Sequence, residues 1–188
     1  MSEPARGYKA VFLDRDGVIN HDDGYVYQWA QFRWMAGAIE AMKALQSLDY
    51  RLIVVSNQSG IGRGFYSEDD VLLLHEQMRA HLCDRGVMLL DCYICPHHPS
   101  EALETFRVAC NCRKPKPGMI LSAVRDHHIC LENSVMVGDK PSDMEAGLAA
   151  GIPIRLQVGE GEKSPVASEY LMDLAAVAEY LSAPSQNS

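Results

Sequence analysis

Two carboxylates stand two residues apart just after the first apolar segment of the chain. Asp14 and Asp16 follow residues 8–13, which are rich in strand-forming side chains and are predicted to form a buried strand. Residues two apart on an extended segment point to the same side, so both carboxylates can face one cavity. Neighbouring carboxylates repel, and Mg²⁺ with oxygen ligands relieves that repulsion. Alone, the pair could equally cap the next turn.

Groups that bind phosphate or metal also stand at the ends of later segments. A hydroxyl and an amide follow the second apolar segment, two cations precede a predicted helix, and two carboxylates follow a further segment. These residues are Ser56 and Asn57, Arg113 and Lys114, and Asp139 and Asp143. Each has an ordinary explanation by itself, as a turn residue, a solvated cation or a helix-start acid. Together they favour a metal-assisted phosphate site.

The segments that carry these groups alternate between strand and helix patterns. Predicted strands cover residues 8–13, 51–55, 91–94, 134–137 and 154–158, and predicted helices cover 36–48, 68–84, 117–127, 141–150 and 174–181. This alternation predicts an α/β doubly wound fold, with a mainly parallel sheet and helices on both faces. Ligands of such folds bind beyond the carboxyl ends of the strands, which is where the polar groups lie.

Length and composition predict one cytoplasmic domain. The chain has 188 residues, of which 47% are hydrophobic and 22% charged, so residues 1–188 are expected to form a single domain with a flexible polar tail at 182–188. A net charge of -8 argues against nucleic acid or an anionic membrane as a partner. We find no signal-like or membrane-spanning apolar stretch. The apolar residues are accounted for by core positions, so a monomer is expected.

Cysteine spacing predicts a zinc loop over residues 95–112. Cys95-Pro96-His97-His98 and Cys110-Asn111-Cys112 offer two ligand pairs that together suit a structural Cys₃His zinc site. The spacing leaves His97 and His98 as competing ligands. The alternative is that these are buried thiols, which is the interpretation adopted for Cys83, Cys92 and Cys130. Because Cys112 precedes Arg113 and Lys114, zinc would also fix those cations.

Four motifs resemble those of the haloacid dehalogenase superfamily of phosphatases. They are Phe12-Leu13-Asp14-Arg15-Asp16-Gly17-Val18-Ile19-Asn20, Val54-Val55-Ser56-Asn57-Gln58-Ser59-Gly60-Ile61-Gly62-Arg63-Gly64, Cys112-Arg113-Lys114-Pro115 and Val137-Gly138-Asp139-Lys140. The resemblance covers about residues 8–151 and implies the Rossmann-like fold of that superfamily. Within it, the chain is most similar to heptose bisphosphate phosphatases, a subfamily related to histidinol-phosphate phosphatases.

The resemblance also implies roles for individual residues. Asp14 would be the nucleophile, and Asp16 would serve as acid and then base. Catalytic Mg²⁺ would be held by Asp14, Asp139 and the backbone carbonyl of Asp16, with Asp143 behind them. Ser56, Asn57 and Lys114 would neutralise the phosphoryl oxygens. Structural Zn²⁺ would be held by Cys95, His97, Cys110 and Cys112.

The implied substrate is a small sugar bisphosphate. The resemblance implies removal of the C7 phosphate of D-glycero-D-manno-heptose 1,7-bisphosphate, in the synthesis of nucleotide-activated heptose for lipopolysaccharide or related glycans. Residues 17–55 and 58–112 are largely taken up by predicted elements and the zinc loop, so no large cap domain fits. Short loops at residues 20–25 and 60–64 and the zinc loop must therefore recognise the sugar. The expected substrate-binding residues are Asp22, Asp23, Gly24, Tyr25, Asn57, Gln58, Ser59, Arg113 and Lys140.

Three other functions use similar groups. A histidinol-phosphate phosphatase would share the motifs and the zinc, although its zinc loop is typically shorter than this one. A DNA 3'-phosphatase has a similar second motif, but the negative chain lacks a basic tract. A non-enzymatic receiver domain also accepts phosphate on an aspartate. A receiver must keep its phosphate, whereas Asp16 is placed to hydrolyse it.

Overall fold

The computed structural model describes residues 7–183 and contains one six-stranded sheet in which all strands are parallel. The strands are β1 Ala10–Leu13, β2 Arg51–Asn57, β3 Leu89–Cys95, β4 Val135–Gly138, β5 Ile154–Val158 and β6 Glu169–Leu171. The helices are α1 Ala38–Ser47, α2 Ser59–Gly62, α3 Glu68–Cys83, α4 Gly118–His127, α5 Pro141–Ala150 and α6 Leu174–Ser182. Their order along the chain confirms the predicted α/β alternation.

Helices cover both faces of the sheet, as predicted. On one face, alternate residues of the central strands such as Val11 and Leu13 pack against buried side chains of α1, α3 and α6. On the other face, Phe12 and Ile53 pack against α4 and α5. The two-residue period of a strand divides its apolar side chains between the two layers. The four residues of β1 are therefore all fully buried.

Local sequence signals explain where several helices begin and end. The Ser67 side chain accepts a hydrogen bond from the Asp70 N–H, and Asp70 in turn accepts one from the Ser67 N–H, which caps the start of α3. Asp173 caps α6 in a similar way. Pro141 occupies the first turn of α5, and Gly151 ends that helix with a positive φ of 91°.

The strand order is β3-β2-β1-β4-β5-β6, so the chain winds outward in one direction from β1 and in the other from β4. The crevice of a doubly wound sheet lies where this direction reverses, beyond the carboxyl ends of the two central strands. Here β1 ends immediately before Asp14, and β4 ends immediately before Asp139. The topology therefore brings together two acids that are far apart in the chain.

Two elements were missed from the sequence. The three-residue strand β6 is too short to show a periodic pattern, and it exists because residues 169–171 pair with β5. The short helix α2 lies within the second motif, where a loop was expected. The flexible tail predicted at 182–188 lies mostly outside the described residues, and Ser182 is the last residue of α6.

Long loops lead from β1 to α1 and from β3 to α4. Residues 14–37 and 96–117 contain short 3₁₀ turns, and the described residues there form no further strand or α-helix. We call residues 20–28 the flap, because they pass over the crevice. Among residues 7–183, no helix combines the length and the apolar character needed to cross a membrane.

Candidate active site and metal centres

The crevice holds a buried ion pair between Asp14 and Lys114. The Lys114 ammonium lies 2.9 Å from the Asp14 carboxylate and 2.6 Å from that of Asp143, and it also donates to the Val55 carbonyl at 2.8 Å. Burial alone would lower the pKa of Lys114, but the two carboxylates outweigh it and raise that pKa, so the side chain stays charged. Burial raises the pKa of Asp14, and the charge of Lys114 opposes that rise.

A third carboxylate, Asp139, leaves this cluster short of positive charge. Carboxylate oxygens of Asp14, Asp139 and Asp143 lie within 4.8 Å of one another. Burial, and next the charge of Asp14, raise the pKa of Asp139 to about 7. Its Oδ1 is buried and accepts no hydrogen bond from any described residue. An oxygen cluster with an unpaired buried atom fits a hard divalent cation such as Mg²⁺, which would supply the missing charge.

The backbone around this cluster leaves no room for larger residues. Gly17 has a φ of 89°, and a Cβ atom there would lie 2.5 Å from Asp139 Oδ2. A Cβ atom on Gly138 would collide with the side chain of Asp143. Both glycines in the first and fourth motifs therefore allow the acids to approach closely.

Asp16 sits beside the cluster with its carboxylate surrounded by donors. Arg15 donates to both Asp16 oxygens at 3.0 Å, Asn20 donates to Oδ1 at 2.9 Å and Gln58 donates to Oδ2 at 3.0 Å. The Gln58 amide also donates to Ser56 Oγ at 2.8 Å. These bonds hold the side chain of Asp16 in one orientation.

Asn57 contacts the backbone of Lys114. Its Oδ1 accepts from the Lys114 N–H at 3.1 Å, and its Nδ2 donates to the Lys114 carbonyl at 3.2 Å. The side chain thus joins the end of β2 to the segment that carries the buried lysine. Its amide lines the crevice, but its two polar atoms are engaged with protein.

The crevice is an open cavity of about 220 Å³. Most of the predicted site residues line it, namely Asp14, Asp16, Asp22, Gly24, Tyr25, Ser56, Asn57, Gln58, Ser59, Lys114, Lys140 and Asp143. The sequence analysis missed Tyr66 and Ser142, which also line it.

Tyr66 donates to Gln58 Oε1 at 3.0 Å, and burial chiefly raises the pKa of Tyr66 to about 12. The absence of a side chain at Gly60 makes room for the Tyr66 ring. A glycine at that position in the second motif was the one sign in the sequence that a bulky side chain lies nearby.

Ion pairing and aromatic packing are among the contacts that join the flap to the rest of the crevice. Nζ of Lys140, which precedes α5, lies 3.1 Å from Oδ2 of the flap residue Asp22. The rings of Tyr25 and Phe65 meet edge to face at 4.8 Å. Tyr25 has a positive φ of 52°, a conformation that non-glycine residues adopt uncommonly and that turns the flap at this point.

Two predicted substrate residues lie away from the cavity lining. Asp23 is exposed and pairs with Arg33 at 2.5 Å. Arg113 donates to the His97 carbonyl at 3.1 Å and lines a neighbouring cavity of about 330 Å³ beside the zinc loop. In the predicted loop 60–64, Gly60, Ile61 and Gly62 are instead buried residues of α2 and do not line the cavity.

The four predicted zinc ligands converge. Cys95 Sγ lies 3.1 Å from Cys112 Sγ and 3.6 Å from both Cys110 Sγ and His97 Nδ1, and His97 Nδ1 lies 3.3 Å from Cys112 Sγ. Tetrahedral zinc with bonds of about 2.0–2.3 Å would hold such atoms roughly 3.5–3.8 Å apart. Disulfide sulfurs would be separated by about 2.0 Å. Two of the four distances lie in the zinc range, the other two lie slightly below it, and all exceed a disulfide bond length, so the donor set suits zinc better than a disulfide.

His98 is engaged elsewhere. Its Nδ1 accepts hydrogen bonds from the backbone N–H groups of Ser100 and Glu101, at 3.3 and 2.9 Å. His98 thus stabilises the turn that follows it. Of the two histidines that spacing left open, it is His97 that lies in the cysteine cluster.

Comparison with known proteins places the chain among sugar bisphosphate phosphatases. Residues 111–183 match a family model described as HAD-hydrolase-like. The D-glycero-beta-D-manno-heptose-1,7-bisphosphate 7-phosphatase of Photorhabdus laumondii is 47% identical over 87% of this chain and 86% of its own length. The protein of that name from Escherichia coli K12 is 48% identical over 84% and 83%.

Solved structures agree with the sequence comparison. The D,D-heptose 1,7-bisphosphate phosphatase from B. bronchiseptica, complexed with magnesium and phosphate, has a TM-score of 0.81 and 31% identity over 92% of this chain and 97% of that one. A HAD-like phosphatase from Mesorhizobium loti has a TM-score of 0.82 and 30% identity over 96% and 90%.

Proposed function

Because this chain belongs to the D-glycero-beta-D-manno-heptose-1,7-bisphosphate 7-phosphatase family of HAD-like hydrolases, we propose that it removes the C7 phosphate of that heptose bisphosphate. It is a phosphoric monoester hydrolase whose product would enter the synthesis of nucleotide-activated heptose. The observation that carries the proposal is the Asp14 carboxylate, which lies in the crevice against Lys114 and within 4.8 Å of the Asp139 and Asp143 carboxylates.

In the first step, an Asp14 oxygen would attack the phosphorus atom of the C7 phosphate. The bond between phosphorus and the sugar oxygen breaks, and its electron pair leaves with that oxygen, which takes a proton from Asp16. Lys114 and the Ser56 hydroxyl would stabilise charge on the transferring oxygens. Asn57 would hold Lys114 in place through its two backbone hydrogen bonds.

In the second step, water would hydrolyse the phospho-aspartate. Asp16, now ionised, takes a proton from water as the water oxygen attacks phosphorus, and the bond to Asp14 breaks to release inorganic phosphate. Asp14, Asp139 and the backbone carbonyl of Asp16 would hold Mg²⁺, which when bound would supply positive charge that stabilises the transferring phosphoryl group.

The cysteine cluster would hold a structural zinc ion. Cys95 is the buried last residue of β3, and Cys112 lies two residues before Lys114. Zinc would therefore connect the edge of the sheet to the segment that carries the catalytic cation. None of the six cysteines, all of which lie within the described residues, forms a disulfide, which supports our proposal of a cytoplasmic protein. We also propose that it acts as a monomer.

The open crevice suits a hydrophilic substrate. Flap residues Asp22, Gly24 and Tyr25, together with Ser59 and Lys140, would contact the sugar hydroxyls. Arg113 lies on the neighbouring cavity, where its guanidinium could meet the phosphate on C1 at the far end of the substrate. Binding energy from that remote group would position the reacting phosphate.

A substrate panel tests the proposal. We expect kcat/KM for the heptose bisphosphate to exceed those for histidinol phosphate and simple sugar monophosphates. Arg113→Ala should narrow the preference by about 10–100-fold, as expected for the loss of a charged hydrogen bond. Arg125→Ala, which removes an exposed arginine whose ion-pair partner is the adjacent Asp126, is the matched control. Equal or better turnover of histidinol phosphate would overturn the substrate and leave the phosphatase chemistry standing.

A further inference from the structure

The guanidinium of Arg15 is fully buried between the active site and helix α3. Its Nη2 donates to both Asp16 oxygens and, at 2.6 Å, to the carbonyl of Val26 in the flap. Its Nη1 lies 3.3 Å from Nε2 of His75 in α3. One side chain thus connects Asp16, the flap and α3.

His75 can only accept a hydrogen bond from Arg15. Arginine has no acceptor atom, so the Nε2 atom that faces Nη1 carries a lone pair and the ring is neutral. The ring is 4% exposed, and burial, followed by the charges of Arg15 and Arg79, lowers the pKa of His75 to about 3. The proton of this neutral ring lies on Nδ1, for which no hydrogen-bond partner is found among residues 7–183.

This contact fixes one branch of the guanidinium. The group is planar and rigid, so a partner for Nη1 also sets the direction in which Nη2 and Nε face Asp16. Without an acceptor at His75, Nη1 would be a buried donor without a partner, which costs about 1–3 kcal/mol. The guanidinium could avoid this penalty by rotating so that Nη1 meets another acceptor. That rotation would turn Nη2 and Nε away from the plane of the Asp16 carboxylate.

We propose that His75, acting through Arg15, is a positioning residue that orients the Asp16 carboxylate for proton transfer to the leaving oxygen of the substrate. The inference rests on the proposed role of Asp16 as acid and base. His75 lies 60 positions from Arg15 in the sequence. It does not line the cavity, and it forms no hydrogen bond with the proposed metal ligands.

Leaving-group dependence distinguishes this role from a purely structural one. A sugar alkoxide leaves poorly and needs a proton from Asp16, whereas p-nitrophenolate leaves well without one. Misorientation of Asp16 should therefore slow sugar phosphate hydrolysis more than p-nitrophenyl phosphate hydrolysis. A general loss of folded protein would slow both by the same factor.

The experiment measures kcat and KM for the heptose bisphosphate and for p-nitrophenyl phosphate. His75→Leu should lower kcat/KM, which reports the step in which the leaving group departs, about tenfold more for the sugar substrate than for the aryl substrate, a part of the 10²–10⁴-fold that general acid catalysis supplies. His75→Gln, whose Oε1 can accept from Arg15, should recover most of the difference. Leu82→Ala, in the buried face of the same helix, is the stability control and should not separate the substrates.

Asp16→Asn separates failure of this inference from failure of the proposed mechanism. If Asp16→Asn discriminates between the two substrates and His75→Leu does not, the positioning role is wrong and the mechanism stands. If Asp16→Asn does not discriminate either, the acid role of Asp16 is wrong, and the inference falls with it. Should His75→Leu fail to fold, His75→Met provides the same comparison with a more adaptable side chain.

Discussion

The side-chain amide of Asn57 forms two hydrogen bonds with the backbone of Lys114, which lies 57 residues later in the chain. The amide thereby fixes the backbone from which the Lys114 side chain reaches Asp14. The resemblance to the superfamily implied that Asn57 contacts phosphate directly, and in the structure its amide lines the crevice and is bonded to the Lys114 backbone.

Replacement of Asn57 should reduce catalysis more than substrate binding. Asn57→Ala leaves the Lys114 N–H and carbonyl without these partners, so we expect a loss of about 1–3 kcal/mol in the free energy of unfolding. The kcat should fall about tenfold with little change in KM, because Lys114 would be less well placed. Urea unfolding and steady-state kinetics check both. A raised KM with unchanged kcat would instead indicate direct phosphate binding by Asn57.

Replacement of the proposed nucleophile should abolish turnover. Asp14→Asn places an amide where a carboxylate must attack phosphorus, and we expect kcat to fall by at least about a thousandfold. Asp23→Asn makes the same chemical change at an exposed residue outside the cavity lining and should retain near wild-type activity. Mass spectrometry must show that the introduced amide has not deamidated back to the carboxylate. Substantial turnover by intact Asp14→Asn would exclude the phospho-aspartate mechanism.

Magnesium should stabilise the folded protein through Asp139. Saturation at about 100 times the Kd adds roughly 2.7 kcal/mol, which corresponds to a Tm increase of about 5–10 °C for a chain of this size. Asp139→Asn should remove most of that increase, because its buried Oδ1 is the oxygen that lacks a partner. Asp126→Asn, at an exposed acid on α4, should retain it. A full magnesium-induced shift in Asp139→Asn would place the ion elsewhere.

Zinc content should depend on the cysteine cluster. Elemental analysis of protein prepared without chelator should find one zinc ion per chain, and Cys110→Ser should lower zinc content, Tm and activity together. Cys130→Ser, outside the cluster, should leave all three unchanged. Absence of zinc, or a disulfide between Cys110 and Cys112, would contradict the proposed site.

His75 should make the protein sensitive to acid. Its pKa is about 3 in the folded protein and 6.5 ordinarily, so below pH 6.5 the unfolded chain binds a proton that the folded chain does not. Stability is therefore lost as the pH falls from 6.5 toward 3, by about 2 kcal/mol at pH 5. Glutamine does not titrate in this range. The fall in the free energy of unfolding between pH 7 and pH 5, measured with urea, should therefore be about 2 kcal/mol smaller in His75→Gln than in the wild type. Equal losses in both proteins would mean that His75 titrates normally.

Local patterns in the sequence determined the alternation of strands and helices and the acids that end β1 and β4. Apolar period and strand or helix preference are properties of neighbouring residues, and the polar residues stand out because they interrupt those patterns. Doubly wound topology then predicts that Asp14 and Asp139 meet at one edge of the sheet. The cluster of Cys95, His97, Cys110 and Cys112 was predictable for the same reason, because paired cysteines at short spacing are a local signal.

Contacts between distant segments were decided only by tertiary structure. The Arg15–His75 contact, the Asn57–Lys114 hydrogen bonds and the pairing of β6 with β5 each depend on how helices and loops pack, and no period in the sequence records them. His98 is excluded from the zinc cluster because two backbone N–H groups reach its ring. Asp22 lines the cavity, whereas its neighbour Asp23 pairs with Arg33 away from that lining. Only the tertiary structure separates these two adjacent acids.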